Sequence, residues 1–288
     1  MWIADKWNDY EVIDTSSGEK LERWDKYCVV RPDPQIIWNT EQTDVRWIDA
    51  HGHYKRSSSG GGQWDMNKLP ESFMISYGEL KFRIRPTGFK HMGLFPEQAC
   101  NWEWLASQIG NAGRPVKVLN LFAYTGGASV ACAKAGASVC HVDASKGMTA
   151  WAKENAQLNG IDNIRFIVDD CIKFVSREIR RGNFYDGIIL DPPSYGRGPG
   201  GEIWKLESEL YGLLSLCSDV MSDKPLFALL NSYTSGLSAT CMHYMMGVTF
   251  ADKFGGSVMS DEIGLPVTSS GYILPCGSSV RWKAEDSK

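Results

Sequence analysis

Alternation of short apolar runs with amphipathic stretches constrains this chain more than any other feature, and it extends from Glu97 to near the last residue. Apolar runs of this length, bounded by turn residues, are typical of buried strands, whereas the stripes between them have helical spacing. Strands are predicted at 116–122, 138–142, 164–168, 186–190 and 226–230, with a terminal hairpin at 258–267 and 272–282. Helices are predicted at 97–109, 129–135, 145–159 and 237–250, and around Ile172 to Ile179 and Leu206 to Cys217. The pattern predicts an α/β fold with a doubly wound, mostly parallel, seven-stranded sheet.

Residues 1–96 have a different character, with short aromatic and β-branched runs at 27–31 and 35–38 separated by Pro32, Pro34 and the 57–62 segment. Such punctuation is typical of a small β-rich domain. We therefore expect two domains, 1–96 and 97–288, with the first a candidate for substrate recognition. The tryptophans of the first domain could form a stacking platform for bases. Core packing is the commoner role for such side chains and is preferred here.

Composition excludes several classes of protein. Hydrophobic residues make up 43% and charged residues 22%, as in a soluble globular protein. No apolar run is long enough for a membrane span, and the first residues lack the apolar core of a signal peptide. The eight cysteines form no Cys-x-x-Cys pair, which argues against a metal site or a disulfide framework and favours the cytoplasm. The net charge of −4 means that any RNA contact must come from local basic patches.

The first predicted strand leads into Asn120-Leu-Phe-Ala-Tyr-Thr-Gly-Gly127. Ligands of doubly wound sheets lie beyond the carboxyl ends of the strands. Gly126 and Gly127 allow a tight turn and a close approach of backbone to ligand. The amide groups at the start of the following helix suit a carboxylate. A tight turn without a ligand is the alternative interpretation.

The next two strand ends carry acids. Asp143, followed by Ala144, lies seventeen residues past Gly126. This is close to the roughly 20 expected for an acid that binds ribose hydroxyls. Asp170, followed by Cys171, could accept a hydrogen bond from an adenine amino group or simply cap a helix. The Gly-x-Gly-x-x-Gly fingerprint for a pyrophosphate is absent, so the pattern favours S-adenosylmethionine (SAM) over a dinucleotide.

The fourth strand ends in Asp191-Pro-Pro-Ser-Tyr195. Pro192 and Pro193 fix the backbone just past the strand. Asp191 could then accept a hydrogen bond from a substrate, and Tyr195 could stack on a planar base. A plain strand-terminating turn is the alternative. The 196–201 segment reads either as a mobile loop, with Arg197 meeting a phosphate and Trp204 covering the substrate, or as a flexible connector.

Together these motifs resemble the class I SAM-dependent methyltransferases, whose catalytic domain is Rossmann-like, and in particular their ribosomal-RNA large-subunit branch. The resemblance spans about 89–282 and implies SAM as cofactor and RNA, in particular ribosomal RNA, as substrate. It implies SAM contacts at Phe122, Tyr124, Thr125, Gly126, Asp143 and Asp170, and a pocket lined by Phe95 and Gln98 from the 93–98 segment. Asn120, Ala144 and Cys171 complete the predicted cofactor site; Asp191, Pro192, Pro193 and Tyr195 form the predicted catalytic turn.

Two features depart from that branch. Several relatives carry an RNA-binding PUA domain at the amino terminus, and residues 1–96 show no clear match to it. Methylation of cytosine carbon-5 needs a cysteine nucleophile, and neither 192–198 nor 231–235 contains one. Cys217 lies on an apolar helix stripe, and Cys276 is interpreted as structural. We therefore expect a base nitrogen as the acceptor. The alternatives are a methyltransferase for a small molecule or protein, and a non-catalytic SAM-binding or RNA-binding module.

Overall fold

The computed structural model describes residues 1–57, 61–65 and 68–285, and it divides the chain into two compact units. The larger unit contains Met1, Asn101–Glu262 and the chain from Gly277 onward. The smaller unit contains Trp2–Cys100 and Ile263–Cys276. The contacts therefore group a short carboxyl-terminal segment with the amino-terminal residues. The division at residue 96, as a boundary between two functions, stays a prediction.

The smaller unit is built from short strands, as its aromatic and β-branched runs predict. Its strands are β1 (Trp2–Ile3), β2 (Tyr10–Ser16), β3 (Glu19–Trp24), β4 (Tyr27–Pro32), β5 (Gly52–Arg56), β6 (Gly62–Asp65), β7 (Phe73–Tyr77) and β8 (Leu80–Ile84). Five of them form one sheet in the order β2-β3-β4-β5-β6, β7 pairs with β8, and β1 pairs in parallel with Ile263 and Gly264. Single 3₁₀ turns occur at Val45–Trp47 and Pro96–Gln98.

One of the two aromatic and β-branched runs noted in this unit is not a strand. Residues 35–38 have no strand structure, and Ile37 is 91% exposed. Asp33 instead accepts a hydrogen bond from the Gln35 amide, which forms a local turn. Pro34, two residues after the end of β4, also lacks the backbone donor that an extension of this strand into 35–38 would need.

The tryptophans of the smaller unit are all buried or partly buried in the described residues, which is what core packing requires. Trp24, for example, has no exposed surface and packs edge-on against Tyr10. Residues 58–60, inside the predicted loop at 57–62, lie outside the described part of the chain.

The larger unit alternates strands and helices as predicted, with boundaries that shift by a few residues. Its strands are β9 (Lys117–Leu121), β10 (Ser138–Asp143), β11 (Ile164–Val168), β12 (Gly187–Leu190), β13 (Tyr195–Arg197), β14 (Ile203–Lys205), β15 (Phe227–Ser232), β16 (Ser257–Pro266) and β17 (Ile273–Lys283). Its helices are α1 (Ala99–Asn111), α2 (Gly127–Lys134), α3 (Lys146–Leu158), α4 (Cys171–Arg181), α5 (Leu206–Asp219), α6 (Ala239–Met246) and α7 (Asp252–Phe254), with a π-helical turn at Gly247–Ala251. The chain passes into the smaller unit within β16 and returns within β17.

The main sheet confirms the predicted doubly wound, mostly parallel fold, and its order is β1-β16-β17-β15-β12-β9-β10-β11. It has eight strands where seven were predicted, because the two-residue β1, too short to be recognised in the sequence, pairs with β16. The neighbours from β15 to β11 are parallel, and β17 is antiparallel to β15. From the central β9 the chain winds outward to β10 and β11, and later to β12 and β15 on the other side. This reversal places the topological switch point between β9 and β12, where such sheets bind ligands.

Side chains along the strands alternate between two buried layers, which is why these strands read as continuous apolar runs. In β9, Val118 packs with Leu105 of α1 and Cys132 of α2 in one layer. Leu119 and Leu121 belong to the opposite layer, which includes side chains of α4, α5 and α6. Among the described residues, no helix has the length and apolar character needed to cross a bilayer.

Candidate active site

The parallel register aligns the ends of four strands. Leu121 of β9 pairs with Val142 of β10 and with Leu190 of β12, and Asp143 pairs with Val168 of β11. The residues that follow each strand therefore lie along one edge of the sheet. They are the turn after Leu121, Asp143, the Asp169–Asp170 pair and Asp191. The structure thus brings together the four motifs that the sequence analysis singled out in the larger unit.

The turn after β9 has an unusual backbone. Phe122 and Tyr124 have φ angles of 53° and 52°, in the left-handed region that side-chain-bearing residues rarely adopt, and Gly126 follows at 85°. The Ala123 amide donates to the Val142 carbonyl at 3.1 Å, which ties the turn to β10. Left-handed non-glycine residues are concentrated at functional sites, because such strain persists only where the surroundings enforce it.

Gly126 sits where only glycine fits. A Cβ atom at this position would lie 3.0 Å from the Cβ of Ala152 in α3, and the φ angle is unfavourable for any other residue. Gly126 is also the N-cap of α2 and supplies no side chain to the first turn of that helix. The amide groups of this turn therefore remain oriented toward the sheet edge, where a carboxylate would be stabilised.

Asp143 links this turn to the end of β10. Its Oδ2 accepts a hydrogen bond from the Tyr124 amide, and its Oδ1 accepts one from the Ser145 amide, both at 2.8 Å. Burial raises the pKa of Asp143, and the two amide donors oppose that rise. Each carboxylate oxygen can still accept a second hydrogen bond. Asp143 can therefore hold the turn and a pair of hydroxyl donors at the same time, with Ala144 partly buried beside it.

Asn120 lies beneath the turn, with 2% of its surface exposed. Its side-chain amide donates to Ser129 of α2 at 2.9 Å, and the Ser129 hydroxyl is 3.0 Å from Nδ1 of His141. Burial lowers the pKa of His141 to about 3, so the imidazole is neutral. This chain of three polar side chains connects β9, α2 and β10 from inside. The part of Asn120 in the cofactor site stays a prediction.

The end of β11 shows the helix cap that was the alternative for Asp170. The Asp170 side chain accepts from the Lys173 amide at 2.9 Å and caps α4. The preceding Asp169 donates its amide to the Asp143 carbonyl at 3.1 Å and forms an ion pair with Arg177. Cys171 is buried, and burial raises the pKa of its thiol well above the usual value. Its thiol is therefore held as a core group.

The residues of the proline turn after β12 differ in how far they are exposed to solvent. Asp191 is partly buried and Pro192 is buried, whereas Pro193 is exposed and Tyr195 is 51% exposed. The chain then forms a hairpin of β13 and β14 and not an irregular loop. The mobile-loop and connector interpretations of 196–201 are thus replaced by a tight connection between two paired strands.

Trp204 has a supporting role that differs from the covering role considered for it. It is 7% exposed, and its indole N–H donates to the Pro193 carbonyl at 2.6 Å. Its ring packs against Phe122 with 4.9 Å between ring centres. One buried side chain therefore contacts both the proline turn and the left-handed turn. The prediction that Trp204 covers a substrate is wrong, because the indole is packed inside the hairpin.

Comparison with known proteins agrees with this geometry. Residues 36–205 match the model of the family described as S-adenosylmethionine-dependent methyltransferase. The chain belongs to this methyltransferase family. A SAM-dependent methyltransferase from Agrobacterium tumefaciens is 40% identical, with a TM-score of 0.93, covering 98% of this chain and 93% of that one.

Other relatives match less of their own length or share only the fold. Ribosomal RNA large subunit methyltransferase K/L of Shewanella baltica is 38% identical over 134 residues, 46% of this chain and 18% of that protein. The match to the Shewanella frigidimarina protein of the same name covers 48% of this chain and 20% of that protein, at 35% identity. The matched part of this methyltransferase therefore spans about a fifth of the length of these relatives. A methyltransferase from Streptococcus mutans has the same fold, with a TM-score of 0.71 at 18% identity over 96% of this chain and 76% of that one.

The residues of this methyltransferase fit its cofactor. A structure of similar fold, SMU.776, was solved with SAH bound (TM-score 0.70, 19% identity, covering 96% of this chain and 76% of that chain). SAM carries a carboxylate, two ribose hydroxyls and an adenine amino group. The free amides of α2, the remaining acceptor capacity of Asp143 and the Asp170 carboxylate match these three groups in kind. Within the described residues no group of three or more His, Cys, Asp and Glu side chains is arranged to hold a metal.

Three predicted residues lie in the smaller unit. Phe95 caps the 3₁₀ turn that contains Gln98, and its ring is 5.2 Å from His91. Gln98 is 7% exposed. Their part in lining the cofactor pocket stays a prediction. Cys276 is also in this unit, and burial raises the pKa of its thiol well above the usual value, which suits the structural role expected of it.

Sequence reasoning missed the polar chain under the turn and the role of Trp204. Ser129 and His141 are separated by twelve residues, and no local pattern signals that their side chains meet. The left-handed residues Phe122 and Tyr124 gave no signal either, since neither residue type favours that backbone. The one available signal was the position of Trp204, three residues after a glycine pair and directly before an apolar helix stripe.

Proposed function

We propose that this methyltransferase transfers the methyl group of SAM to a base nitrogen of RNA, with ribosomal RNA as the substrate class. The observation that carries the proposal is the rigid Asp191–Tyr195 turn, which ends in a half-exposed aromatic ring at the same sheet edge as the cofactor turn. The relatives from Shewanella are named for ribosomal RNA methylation, which supports this substrate class.

The cofactor roles follow from the chemistry of each strand end. The amides at the start of α2, beside Thr125 and Gly126, would bind the carboxylate of SAM. Asp143 would accept hydrogen bonds from the ribose hydroxyls, and Asp170 would accept one from the adenine amino group with its second oxygen. Phe122, Tyr124 and Ala144 would line the remaining surface.

Bound SAM supplies an electrophilic methyl group attached to a positively charged sulfur. Tyr195 stacks on the target base and fixes its plane. Asp191 accepts a hydrogen bond from the base and thereby orients the nitrogen lone pair toward the sheet edge. Pro192 and Pro193 keep both side chains in place, so that proximity and alignment supply most of the rate enhancement. The nitrogen would form its bond to the methyl carbon as the carbon–sulfur bond of SAM breaks. Asp191, which accepts the hydrogen bond from that nitrogen, would take up the proton that the nitrogen then loses, so no stronger base is required.

The cysteines support nitrogen as the acceptor over carbon-5. Carbon-5 methylation requires a cysteine nucleophile beside the base. Cys171 follows β11 at the sheet edge, and its thiol is buried in the core with a raised pKa. All eight cysteines, which lie within the described ranges, are free thiols. Free thiols also support our proposal of a cytoplasmic location.

We further propose that residues 1–96 recognise the substrate and that residues 97–288 carry the catalytic site.

A second candidate for the methyl acceptor is a small molecule or a protein. The net charge of −4 favours this candidate, because an acidic chain is repelled by the phosphates of RNA. A non-catalytic role would leave the Asp191 turn without a purpose.

The test is transfer of radiolabelled methyl from SAM to three separate pools: deproteinised ribosomal RNA, total protein and small metabolites. We expect label in large-subunit RNA, recovered after nuclease digestion as a nucleoside methylated on nitrogen. The Asp191→Ala protein is the control, and it should bind SAM but transfer little label. Label confined to protein or metabolites would overturn the RNA assignment, and a carbon-5 methyl pyrimidine would overturn the choice of atom. No label in any pool would indicate a non-catalytic module.

A further inference from the structure

The hairpin of β13 and β14 has two different faces. Its register pairs Tyr195 with Lys205, Gly196 with Trp204 and Arg197 with Ile203. Side chains alternate between the faces of a strand, so the buried Trp204 marks the inner face. The other four side chains, on the outer face, are all exposed, with Tyr195 at 51% and Ile203 at 55%.

The outer face combines two kinds of side chain in a fixed arrangement. Arg197 and Lys205 occupy one diagonal of the four positions, and Tyr195 and Ile203 occupy the other. Each cation therefore has an aromatic or aliphatic neighbour both across the hairpin and along its own strand. Cations interleaved with flat apolar surface are the chemistry with which proteins hold single-stranded nucleic acid, since phosphates meet the cations and bases meet the apolar groups.

The acid in the connection between the two strands does not cancel the charge of this face. The carboxylate of Glu202, in the connection between the strands, forms an ion pair with Lys173 of α4 and accepts a hydrogen bond from the Gly200 amide at 2.9 Å. Among the described residues, neither Arg197 nor Lys205 is paired with a carboxylate. The outer face is thus positively charged on a chain whose net charge is −4.

We propose that this outer face, defined by Tyr195, Arg197, Ile203 and Lys205, binds the RNA strand that flanks the target nucleotide. The inference rests on the proposed function and adds a site outside the catalytic turn. It commits to single-stranded RNA, because the face is continuous with Tyr195 of the proline turn and its charge is complementary to phosphate. A small molecule bound at the sheet edge would not reach the far end of the hairpin at Arg197.

The hairpin is also held rigidly enough to serve as a platform. On its inner side Trp204 is bonded to the Pro193 carbonyl, and the Leu206 amide donates to the Ser194 carbonyl at 3.0 Å. The Lys173–Glu202 ion pair fixes the connecting turn to α4. Cations on a pre-ordered scaffold lose less conformational freedom when RNA binds, which favours affinity.

The experiment compares two double variants that remove the same charge. Arg197→Ala/Lys205→Ala removes both cations of the outer face. Lys134→Ala/Lys224→Ala is the matched control, because Lys134 ends α2 and Lys224 precedes β15, both at the opposite edge of the sheet. Steady-state methylation of deproteinised large-subunit RNA is measured at several salt concentrations, together with SAM affinity by calorimetry.

We expect the outer-face variant to raise KM for RNA about tenfold or more, with kcat and SAM affinity within about twofold of the parent protein. The slope of log KM against log salt should fall by about 1.4, since each single-strand phosphate contact contributes about 0.7. The control variant should match the parent, and Arg197→Lys/Lys205→Arg should restore most of the affinity.

Two failures are distinguishable. If the parent protein labels no RNA, the proposed function fails and takes this inference with it. If the parent labels RNA but the outer-face variant keeps its KM and its salt slope, the proposed function survives and the outer face does not bind the strand. Equal losses in both double variants would point to net charge alone and would also overturn the inference.

Discussion

Asp143 and Asp191 lie at the same edge of the sheet, Asp143 at the end of β10 and Asp191 after β12, but we assign them different roles. Asp143 accepts two backbone amides, one of which shapes the cofactor turn. Asp143→Ala should therefore weaken SAM binding by about 30-fold, since a hydrogen bond to a charged group is worth roughly 1.5–3 kcal/mol. Calorimetric titration with SAM measures this. Asp162→Ala, at an exposed position before β11, is the control and should leave affinity unchanged. A wild-type affinity in Asp143→Ala would contradict the role given to this carboxylate.

Asp191→Ala should have the opposite effect from Asp143→Ala, with SAM binding kept and turnover reduced. Since Asp191 orients the acceptor and not the donor, SAM affinity should change less than about twofold while kcat falls by about a hundredfold, the scale of loss expected from misplaced reactants. Single-turnover methyl transfer measures the chemical step directly. Asp191→Asn, which keeps an acceptor oxygen, should recover part of the rate. A joint loss of SAM binding and turnover would show that Asp191 acts on the cofactor instead.

His141 predicts a pH dependence of stability. Its pKa is about 3 in the folded protein, because burial disfavours the charged imidazole. An unfolded histidine has a pKa of about 6.5, so the neutral folded form contributes in full above that pH. Its contribution is lost as pH falls below about 6.5, at up to about 1.4 kcal/mol per pH unit for one proton.

The measurement is denaturant unfolding of the parent and of His141→Gln between pH 7 and pH 5. The free energy of unfolding should fall less steeply with acid in the variant. His91, whose pKa is also lowered to about 3 by burial, stays present in both proteins and cancels in the comparison. Parallel curves for the two proteins would mean that His141 does not titrate on unfolding.

At the level of elements, Trp204 connects the hairpin to both turns of the active site. Trp204→Phe keeps a ring near Phe122 but removes the hydrogen bond to the Pro193 carbonyl. We expect a stability loss of about 1 kcal/mol and a fall in kcat of about tenfold, because the proline turn would lose its alignment with the cofactor turn. SAM affinity should stay within about twofold of the parent value.

Trp282→Phe is the matched control. Trp282 is fully buried in the same layer, packs against Phe250 and donates its indole N–H to the Gly255 carbonyl at 2.8 Å. Its replacement should cost similar stability, measured as a shift in melting temperature, and leave kcat unchanged. If both variants lost turnover in proportion to stability, Trp204 would be a packing residue only.

The sequence predicted the elements of the larger unit well because buried parallel strands are apolar on both faces, as in 187–190 and 227–230. It failed where structure depends on distant partners. The β13–β14 hairpin was read as a loop from its glycines, although Trp204 and Gly196 pair across it. The predicted helix at 237–250 is interrupted by a π-helical turn from Gly247. The residues at the strand ends of the site could be predicted from the sequence. The hydrogen-bonded chain Asn120–Ser129–His141 could not, because its members meet only in the folded structure.

At the scale of the whole molecule, the smaller unit depends on both ends of the chain. Thr268 and Ser269 donate backbone hydrogen bonds to the Val12 and Ile13 carbonyls, at 3.0 and 2.9 Å. Their hydroxyls also donate to Glu11 and Asp14. Residues 97–288 expressed alone would leave the segment Ile263–Cys276 without these partners.

We therefore expect the 97–288 fragment to be less stable than the full chain and prone to aggregation, because unpaired backbone groups and apolar side chains of that segment become exposed. Co-expression of residues 1–96 as a separate chain should restore solubility and SAM binding. Thermal unfolding and size-exclusion chromatography provide the readout. A monomeric 97–288 fragment with the melting temperature of the full chain would contradict this dependence.

The two left-handed residues, Phe122 and Tyr124, have a consequence for efforts to make this enzyme more robust. Glycine at either position would relax the backbone, so a screen that rewards heat tolerance alone would be drawn to these sites. The survivors of such a screen would withstand heating and methylate poorly, because the loop that receives the methyl donor would have lost its imposed shape. Selection should therefore score turnover together with thermal endurance.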